Sequence, residues 1–267
     1  MEVLGYIASL LIGVSLGLVG AGGSILTVPV MVYLFHIPVL TATSYSLFIV
    51  GTTSMMGTWH QFRQDAVNTK VSIMFSLVSI TMVFVIRHYV LPMVPDHLFY
   101  LGGVPVTASL VSMVLFSMLM LTAAYAMIRK KNTNDAASSN ARPVARLVFC
   151  GLLVGLVTGF LGAGGGFILI PSLVLLLGLP MRTAIGTSLM IIALNSLFGF
   201  ALDLGHLTID WTLLGGVTLV AVTGIFMGMA FGKKMGGPSL RVSFGWLVMA
   251  LGGLILVAEM ASLLSKT

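Results

Sequence analysis

Two short glycine-rich segments lie inside long apolar runs, and they constrain this chain more than any other feature. The first is Gly20-Ala21-Gly22-Gly23 and the second is Gly162-Ala163-Gly164-Gly165. Glycine tolerates positive φ, so each segment can turn the backbone sharply. At membrane depth such a turn needs protein or a water-filled cavity around its backbone groups. Close helix packing is the alternative for one copy, but two copies favour a pair of broken helices facing a site.

The composition places the chain in a membrane. Hydrophobic residues make up 58% of it and charged residues 7%, with a mean hydropathy of +1.12, whereas soluble proteins are about 25% charged. The net charge of +6 does not indicate nucleic-acid binding, because Lys and Arg cluster at the ends of apolar segments. The single cysteine, Cys150, excludes an intrachain disulfide and a cysteine metal site. We therefore expect a lipid bilayer as partner and neither a cofactor nor a metal.

The two glycine-rich segments belong to an internal repeat. Residues 17–57 align without a gap with residues 159–199, and sixteen positions are identical, including two prolines and five glycines. Similarity between unrelated apolar helices would not keep glycine and proline in register. We predict two transmembrane repeats, residues 1–128 and 144–267, joined by a polar cytoplasmic linker at residues 129–143. Repeats of this kind are typical of transporters that bind substrate at the repeat interface.

Two of the apolar runs are too long for one straight crossing. A spanning helix needs about 20 residues, whereas the first and fifth runs would reach roughly 50 Å as straight helices, beyond a hydrocarbon core of about 30 Å. Each is either a tilted spanning helix or a re-entrant hairpin that turns at its glycines. The runs cover residues 3–36, 39–59, 71–91, 104–128, 145–178, 182–202, 211–232 and 242–263.

The positions of Lys and Arg distinguish the two topologies. With single spans, eight basic residues face the cytoplasm and five face outward; with hairpins, the split is eleven to two, and only Arg87 and Lys266 lie outside. The positive-inside rule favours the hairpins. Each repeat then crosses three times, so the second is inverted relative to the first and the glycine turns meet near the midplane. The predicted fold is all-α, with two inverted repeats of a hairpin plus three spanning helices; eight straight helices in two parallel repeats are the alternative.

The expected binding site carries no buried charged side chain, because none lies at the centre of an apolar run. The arms after the glycines begin at Ser24 and Gly166, and helix N-termini attract anions through free N–H groups and the helix dipole. Hydroxyls, and the mid-span amide of Asn195, would add hydrogen bonds, although helix–helix hydrogen bonding is the alternative use of the hydroxyls. The predicted substrate-binding residues are Gly22, Gly23, Ser24, Ser46, Thr53, Gly164, Gly165, Gly166, Thr187, Ser188 and Asn195.

Three titratable residues near the ends of spans are candidates for proton coupling: His60, Asp203 and His206. Asp203 and His206 lie together at the outer end of the sixth span, where an ordinary solvated loop is the alternative interpretation. No paired spacing along the chain supports the coupling role.

The glycine motifs resemble those of the sulfite exporter TauE/SafE family, and the resemblance covers nearly the full chain. The first copy departs from the pattern at Ser24 and at Ser44-Tyr45-Ser46. The resemblance implies a bacterial inner-membrane transporter that exports small anions such as sulfite, sulfoacetate or related organosulfonates and carboxylates. The segments that carry it are Gly17–Gly23 with Pro29, Gly159–Gly166 with Pro171, and Thr183–Ser188.

Function classes other than a secondary transporter have less support. No nucleotide-binding motif is present, and the membrane potential already favours anion efflux by about 2.3 kcal/mol per charge per 100 mV. A passive anion channel is the alternative to alternating access between the repeats. An enzyme is disfavoured, because the sequence has neither a His/Glu metal motif nor a nucleophile with a placed base. The oligomeric state is open, with a homodimer as one arrangement.

Overall fold

A computed structural model describes residues 2–20, 23–93, 97–101, 104–129, 143–161, 169–170, 173, 178–205, 207, 209–232 and 237–264. Nine helices and one short hairpin of strands are defined over those ranges. They are α1 (Glu2–Val19), α2 (Ser24–Pro29), α3 (Val39–Phe62), α4 (Thr69–Val85), β1 (His97–Leu101), β2 (Val104–Thr107), α5 (Ala108–Arg129), α6 (Pro143–Leu161), α7 (Met181–Asp203), α8 (Trp211–Gly232) and α9 (Gly237–Leu264).

The chain is a helical, multi-pass membrane protein, as the composition predicts. Within the described ranges, four helices are long and apolar enough to cross a bilayer. They cover Val39–Phe62, Thr69–Val90, Arg182–Asp203 and Trp211–Gly232. The hairpin of β1 and β2 is an addition that sequence analysis did not anticipate. Its two strands are antiparallel, and Leu101 pairs with Val104.

The first apolar run is not one straight helix. After α1 ends at Val19, Gly20 has φ +78° and the chain turns before α2 begins at Ser24. The arm continues through π-helical turns at Val30–Leu34. The next residue is Phe35, and a Cβ atom built at Gly5 would lie 2.4 Å from its ring. The arm therefore returns beside the start of α1, and the run forms an antiparallel hairpin.

The two repeats share the same backbone geometry where the return arm ends. His36 and Gly178 occupy equivalent positions, and both have positive φ, 55° and 65°. In the first repeat Ile37 N–H donates to the carbonyl six residues earlier at 3.1 Å, and Leu179 N–H does the same in the second. The sequence repeat is thus matched by a local structural repeat. Most of the predicted linker, residues 130–142, lies outside the described residues, so the division into 1–128, 129–143 and 144–267 stays a prediction.

Alanine at Gly20 is expected to destabilise the protein more than alanine at Gly178. Both have positive φ, which costs an L-residue roughly 1–2 kcal/mol. A Cβ at Gly20 would also lie 2.6 Å from the Ile185 side chain, whereas none of the described atoms lies within 4 Å of a Cβ at Gly178. Thermal unfolding of the two purified variants separates the cost of the overlap with Ile185 from the cost of positive φ, which both variants share. Equal losses of stability would contradict the placement of Gly20 against α7.

Close contact of small residues joins α1 of the first repeat to α8 of the second. A Cβ at Gly13 would lie 2.0 Å from the Ala221 carbonyl oxygen, and a Cβ at Gly228 would lie 2.2 Å from the Val14 carbonyl oxygen. Residue numbers rise together along this contact, so the two helices run parallel. The absence of side chains at these glycines lets the two backbones touch.

The equivalent helices make the equivalent contact. A Cβ at Gly155 on α6 would lie 2.3 Å from the Ser79 carbonyl oxygen on α4. Gly155 is the repeat equivalent of Gly13, and Ser79 is the equivalent of Ala221. Each repeat therefore packs its first helix against the other repeat, and neither half is a separate body.

Helices α3 and α7 pack against each other in the middle of this arrangement and are themselves repeat equivalents. A Cβ at Gly51 would lie 3.1 Å from the backbone nitrogen of Leu197, and a Cβ at Gly199 would lie 3.0 Å from the Leu47 side chain. Residue numbers fall along α7 as they rise along α3, so these two equivalent helices run antiparallel.

Candidate functional site

Polar residues meet where α3 and α7 cross. Thr53 lies two residues after Gly51, and Asn195 lies two residues before Leu197. Because the helices are antiparallel and Gly51 contacts Leu197, Thr53 and Asn195 are at the same level. Both are fully buried, at 0% exposure. The sequence predicted both as site residues, and the fold brings them to one depth.

A set of buried polar atoms at this level has no hydrogen-bond partner among the described residues. Ser79 Oγ donates to Asn195 Oδ1 at 2.8 Å, but Asn195 Nδ2 is unpaired. Ser79 itself lies one turn after Ser76 on α4. We call the set the central polar cluster; its residues with unpaired atoms are Thr53, Ser54, Ser76, Asn195 and Ser196.

The central polar cluster is suited to an acceptor-rich ligand. A buried polar group without a partner costs about 1–3 kcal/mol, so several in one place indicate a site that a ligand or water fills. The acceptor atom of Asn195 is engaged while its donor is unpaired, and hydroxyls can donate as well. The described ranges hold no group of three His, Cys, Asp or Glu side chains placed to bind a metal ion.

The predicted substrate-binding residues did not include Ser54, Ser76 or Ser196. Ser54 and Ser196 are identical residues at equivalent repeat positions, which was the available signal. Ser76 carried no such signal, because its nearness to Asn195 through Ser79 depends on how α4 packs against α7.

A buried ion pair closes one end of the α3–α7 pair. Arg87 Nη1 donates to Asp203 Oδ2 and, at 3.2 Å, to Ser44 Oγ. Arg87 Nη2 donates to Thr43 Oγ1 at 3.4 Å. The Arg87 side chain is 0% exposed and that of Asp203 is 12% exposed. The solvated-loop interpretation of Asp203 is therefore wrong, because Asp203 is the last residue of α7 and pairs with Arg87, which lies in the π-helical turns that follow α4 at Ile86–Val90.

The model of the family described as Sulfite exporter TauE/SafE matches residues 5–255 of this chain. The chain belongs to the TauE/SafE sulfite exporter family. Membership agrees with the resemblance of the glycine motifs, and it makes the chain a membrane transporter of the TauE/SafE type.

Relatives of this TauE/SafE chain match along almost their whole length. A probable membrane transporter protein of Bacillus subtilis, YdhB, is 26% identical over 250 residues, 92% of this chain and 96% of the relative. A probable membrane transporter protein of Xylella fastidiosa is 24% identical over 271 residues, 96% of this chain and 95% of the relative. One from Methanocaldococcus jannaschii, MJ0441, is 22% identical over 262 residues, 92% of each.

The first glycine turn of this TauE/SafE protein does not lie beside Asn195. Gly20 packs against Ile185, which is ten residues before Asn195, or about 15 Å along α7. Gly159 lies near the end of α6, and a Cβ there would be 2.8 Å from Ile86. Ile86 precedes Arg87, which pairs with Asp203 at the end of α7. Helices α1 and α6 thus end near opposite ends of α7. The first turn lies near one end of α7 because small residues let α1 pack along most of α8. The second turn is outside the described residues, so the expected meeting of the two turns near mid-depth stays a prediction.

Several predicted site residues belong to the first turn or lie outside the described residues. A Cβ at Gly23 would lie 2.3 Å from the Ile12 carbonyl oxygen, so Gly23 packs against α1. Ser24 is the first residue of α2. The residues outside the described ranges are Gly22, Gly164, Gly165, Gly166 and His206.

The remaining predicted hydroxyls are buried away from the central polar cluster's unpaired atoms. Thr187 Oγ1 accepts from Asn68 N–H at 3.0 Å, and Ser72 Oγ donates to the Thr187 carbonyl at 3.4 Å. Ser188 Oγ donates to the Ile185 carbonyl at 2.8 Å. The bonds of Thr187 connect the start of α7 to the start of α4, whereas that of Ser188 stays within α7. Ser46, also fully buried, is the repeat equivalent of Ser188.

Two of the coupling candidates, His60 and Asp203, lie far apart, while His206 is outside the described residues, so its pairing with Asp203 stays a prediction. His60 Nε2 lies 2.8 Å from Gln64 Nε2, and Gln64 Oε1 accepts from Arg182 Nη2 at 2.9 Å. That contact is at the end of α3 and the start of α7, whereas Asp203 is at the opposite end of α7. His60 and Asp203 therefore do not form one proton-coupling pair in this structure.

Proposed function

We propose that this protein exports small oxyanions such as sulfite, sulfoacetate, related organosulfonates or carboxylates, and that they bind at the central polar cluster. The observation that carries the proposal is the group of unpaired polar atoms on α3, α4 and α7 at one level of the bundle. A site of neutral donors holds an anion long enough to select it, while the lack of a fixed charge lets the anion leave. The predicted residues Thr53 and Asn195 are the centre of this site, and the helix N-termini after the glycine turns serve the route toward it.

Alternating access between two inverted repeats is the mechanism we propose. The antiparallel packing of the equivalent helices α3 and α7 supports inversion, since equivalent elements of parallel repeats would run the same way. The antiparallel hairpin of α1 and the return arm supports the re-entrant topology, which places the central linker on the cytoplasmic side of the bacterial inner membrane. Rocking of one repeat against the other would then expose the central polar cluster to each side in turn.

Flux into proteoliposomes tests the proposal. We expect sulfite uptake that saturates with concentration and is accelerated by sulfite or sulfoacetate preloaded on the other side, because a carrier returns faster when loaded. Uncharged solutes of similar size, such as dimethyl sulfone, should neither compete nor exchange. Flux that rises linearly without counterflow, together with single-channel currents, would support the passive anion channel instead. Failure of sulfite, sulfonates and carboxylates alike to exchange would overturn the anion assignment.

A further inference from the structure

We propose that Arg87 forms a second anion site on the transport route, and that the carboxylate of Asp203 occupies this site until a substrate anion displaces it. The inference deepens the proposed function and rests on it. The site consists of the Arg87 guanidinium and the hydroxyls of Ser44 and Thr43, at the start of α3 and the end of α7; His60 lies at the other end of these helices.

The guanidinium of Arg87 is buried but not saturated. Its Nη atoms bind Asp203, Ser44 and Thr43. Its Nε has no hydrogen-bond partner in the described part of the chain. A guanidinium offers five donors in a planar fork that matches the oxygens of carboxylate, sulfite or sulfonate groups. Arg87 therefore has an unused donor inside the protein. The neighbouring Ser44 hydroxyl donates to the Asp203 carboxylate and would be released to bind a substrate oxygen when that carboxylate leaves. The Thr43 hydroxyl instead donates to the Leu40 carbonyl.

The local backbone makes room for this side chain. Helix α4 passes into π-helical turns at Ile86–Val90, a feature that is frequent at functional sites. On α7, a Cβ at Gly199 would lie 3.9 Å from Arg87 Cδ and 3.3 Å from the Val83 side chain. The Arg87 stem thus passes over a position without a side chain, where its head can reach between α3 and α7.

Asp203 has the properties of an internal substitute for a substrate. Its carboxylate presents the charge and oxygen geometry of a small organic anion. It is the last residue of α7, and the next residue, Leu204, has left helical geometry with ψ 54°. The carboxylate can therefore withdraw without breaking a helical hydrogen bond. Asp203 lies eight residues from Asn195, so the proposed Arg87 site and the central polar cluster are about 12 Å apart along α7.

The site belongs to one end of the bundle. The repeat equivalents of Asp203 and Arg87 are Gln61 and Met229, neither of which is charged. An ion pair needed only to hold the antiparallel pair together would serve both ends equally. An ion pair at one end of the bundle fits a step of transport that takes place on one side of the membrane and not on the other.

Anion-dependent thermal unfolding of the purified full-length protein tests the inference. Asp203→Asn is expected to unfold at a lower temperature than the natural protein without added anion, because Arg87 is left unpaired. Sodium sulfite should then stabilise D203N at a concentration at least 10-fold lower than it stabilises the natural protein, at constant ionic strength. Asp210→Asn is the matched control: it removes an exposed carboxylate at the same end and leaves the Arg87 site intact, so its sulfite response should equal that of the natural protein.

The double variant Arg87→Gln/Asp203→Asn should lose the enhanced response to sulfite. A D203N response no stronger than that of D210N, or one that persists in the double variant, would overturn the inference and leave Arg87–Asp203 as a structural ion pair.

If D203N cannot be purified, Arg87→Lys provides a second test, because it keeps the positive charge but removes the planar fork of the guanidinium. It should raise the half-saturating sulfite concentration for transport at least 10-fold, and an unchanged value would overturn the inference. If the sulfite response of the natural protein requires Asn195 but is unchanged by D203N and R87K, the inference about Arg87 fails and the proposed function stands. If neither the natural protein nor any variant responds to sulfite, both the inference and the proposed function are overturned.

Discussion

Gly224→Leu is expected to abolish stable folding. A Cβ at this position would lie 2.4 Å from the Leu10 carbonyl oxygen and 3.0 Å from the Gly13 Cα. Both are backbone atoms of α1, so no side-chain rotation relieves the overlap, and the first helix of one repeat must separate from the other repeat. Overpacking a core with extra methylenes costs about 1–3 kcal/mol, and forcing two helices apart costs more. Against a total stability of roughly 5–15 kcal/mol, the variant should give little monodisperse protein.

Gly215→Leu is the matched control on the same helix. None of the described atoms lies within 4 Å of a Cβ at Gly215, so a side chain there has room. Its thermal unfolding temperature should equal or exceed that of the natural protein, because leucine has a higher helix propensity than glycine by roughly 1 kcal/mol. Similar behaviour of the two variants in size-exclusion chromatography and thermal unfolding would contradict the parallel packing of α1 and α8.

The reversal of the first apolar run could be predicted because two independent signals agree. Its length exceeds one crossing, and glycines interrupt it at a point where a turn needs positive φ, which Gly20 has. The depth of that turn could not be predicted. Gly13 and Gly17 allow α1 to pack along α8, and small residues inside an apolar run look the same whether they break a helix or let two helices touch.

The centre of the candidate site could be predicted in part. Asn195 is conspicuous as an amide in mid-span, and Thr53 follows from the repeat. Thr187 looked equally suitable, yet it accepts a hydrogen bond from the backbone of Asn68, because hydroxyls near helix starts are often used by neighbouring backbone. The pair Arg87 and Asp203 was missed as a pair. Its partners are far apart in sequence, and only the register of α4 against α7 brings them together.

The substitution with the largest expected effect on transport alone is Asn195→Leu. Leucine has the same number of side-chain heavy atoms as asparagine, in the same branched arrangement, but neither its donor nor its acceptor. Hydrogen bonds to charged groups contribute about 1.5–3 kcal/mol, and each 1.4 kcal/mol is a factor of ten in binding. Sulfite flux below saturation should therefore fall about 10- to 100-fold. Thr81→Val, on the exposed face of α4 where the hydroxyl bonds only its own helix, should transport normally.

Stability distinguishes a binding residue from a structural one at this position. If Asn195 mainly holds α7 to α4 through Ser79, then Asn195→Leu leaves the Ser79 hydroxyl without its partner and lowers the unfolding temperature along with transport. If Asn195 instead binds the substrate, the substitution removes a buried donor that has no partner among the described residues. The variant should then unfold at the same or a higher temperature while transport is lost. Loss of stability in proportion to loss of flux would count against the central polar cluster as the binding site, because substrate sites retain unpaired polar groups at the expense of stability.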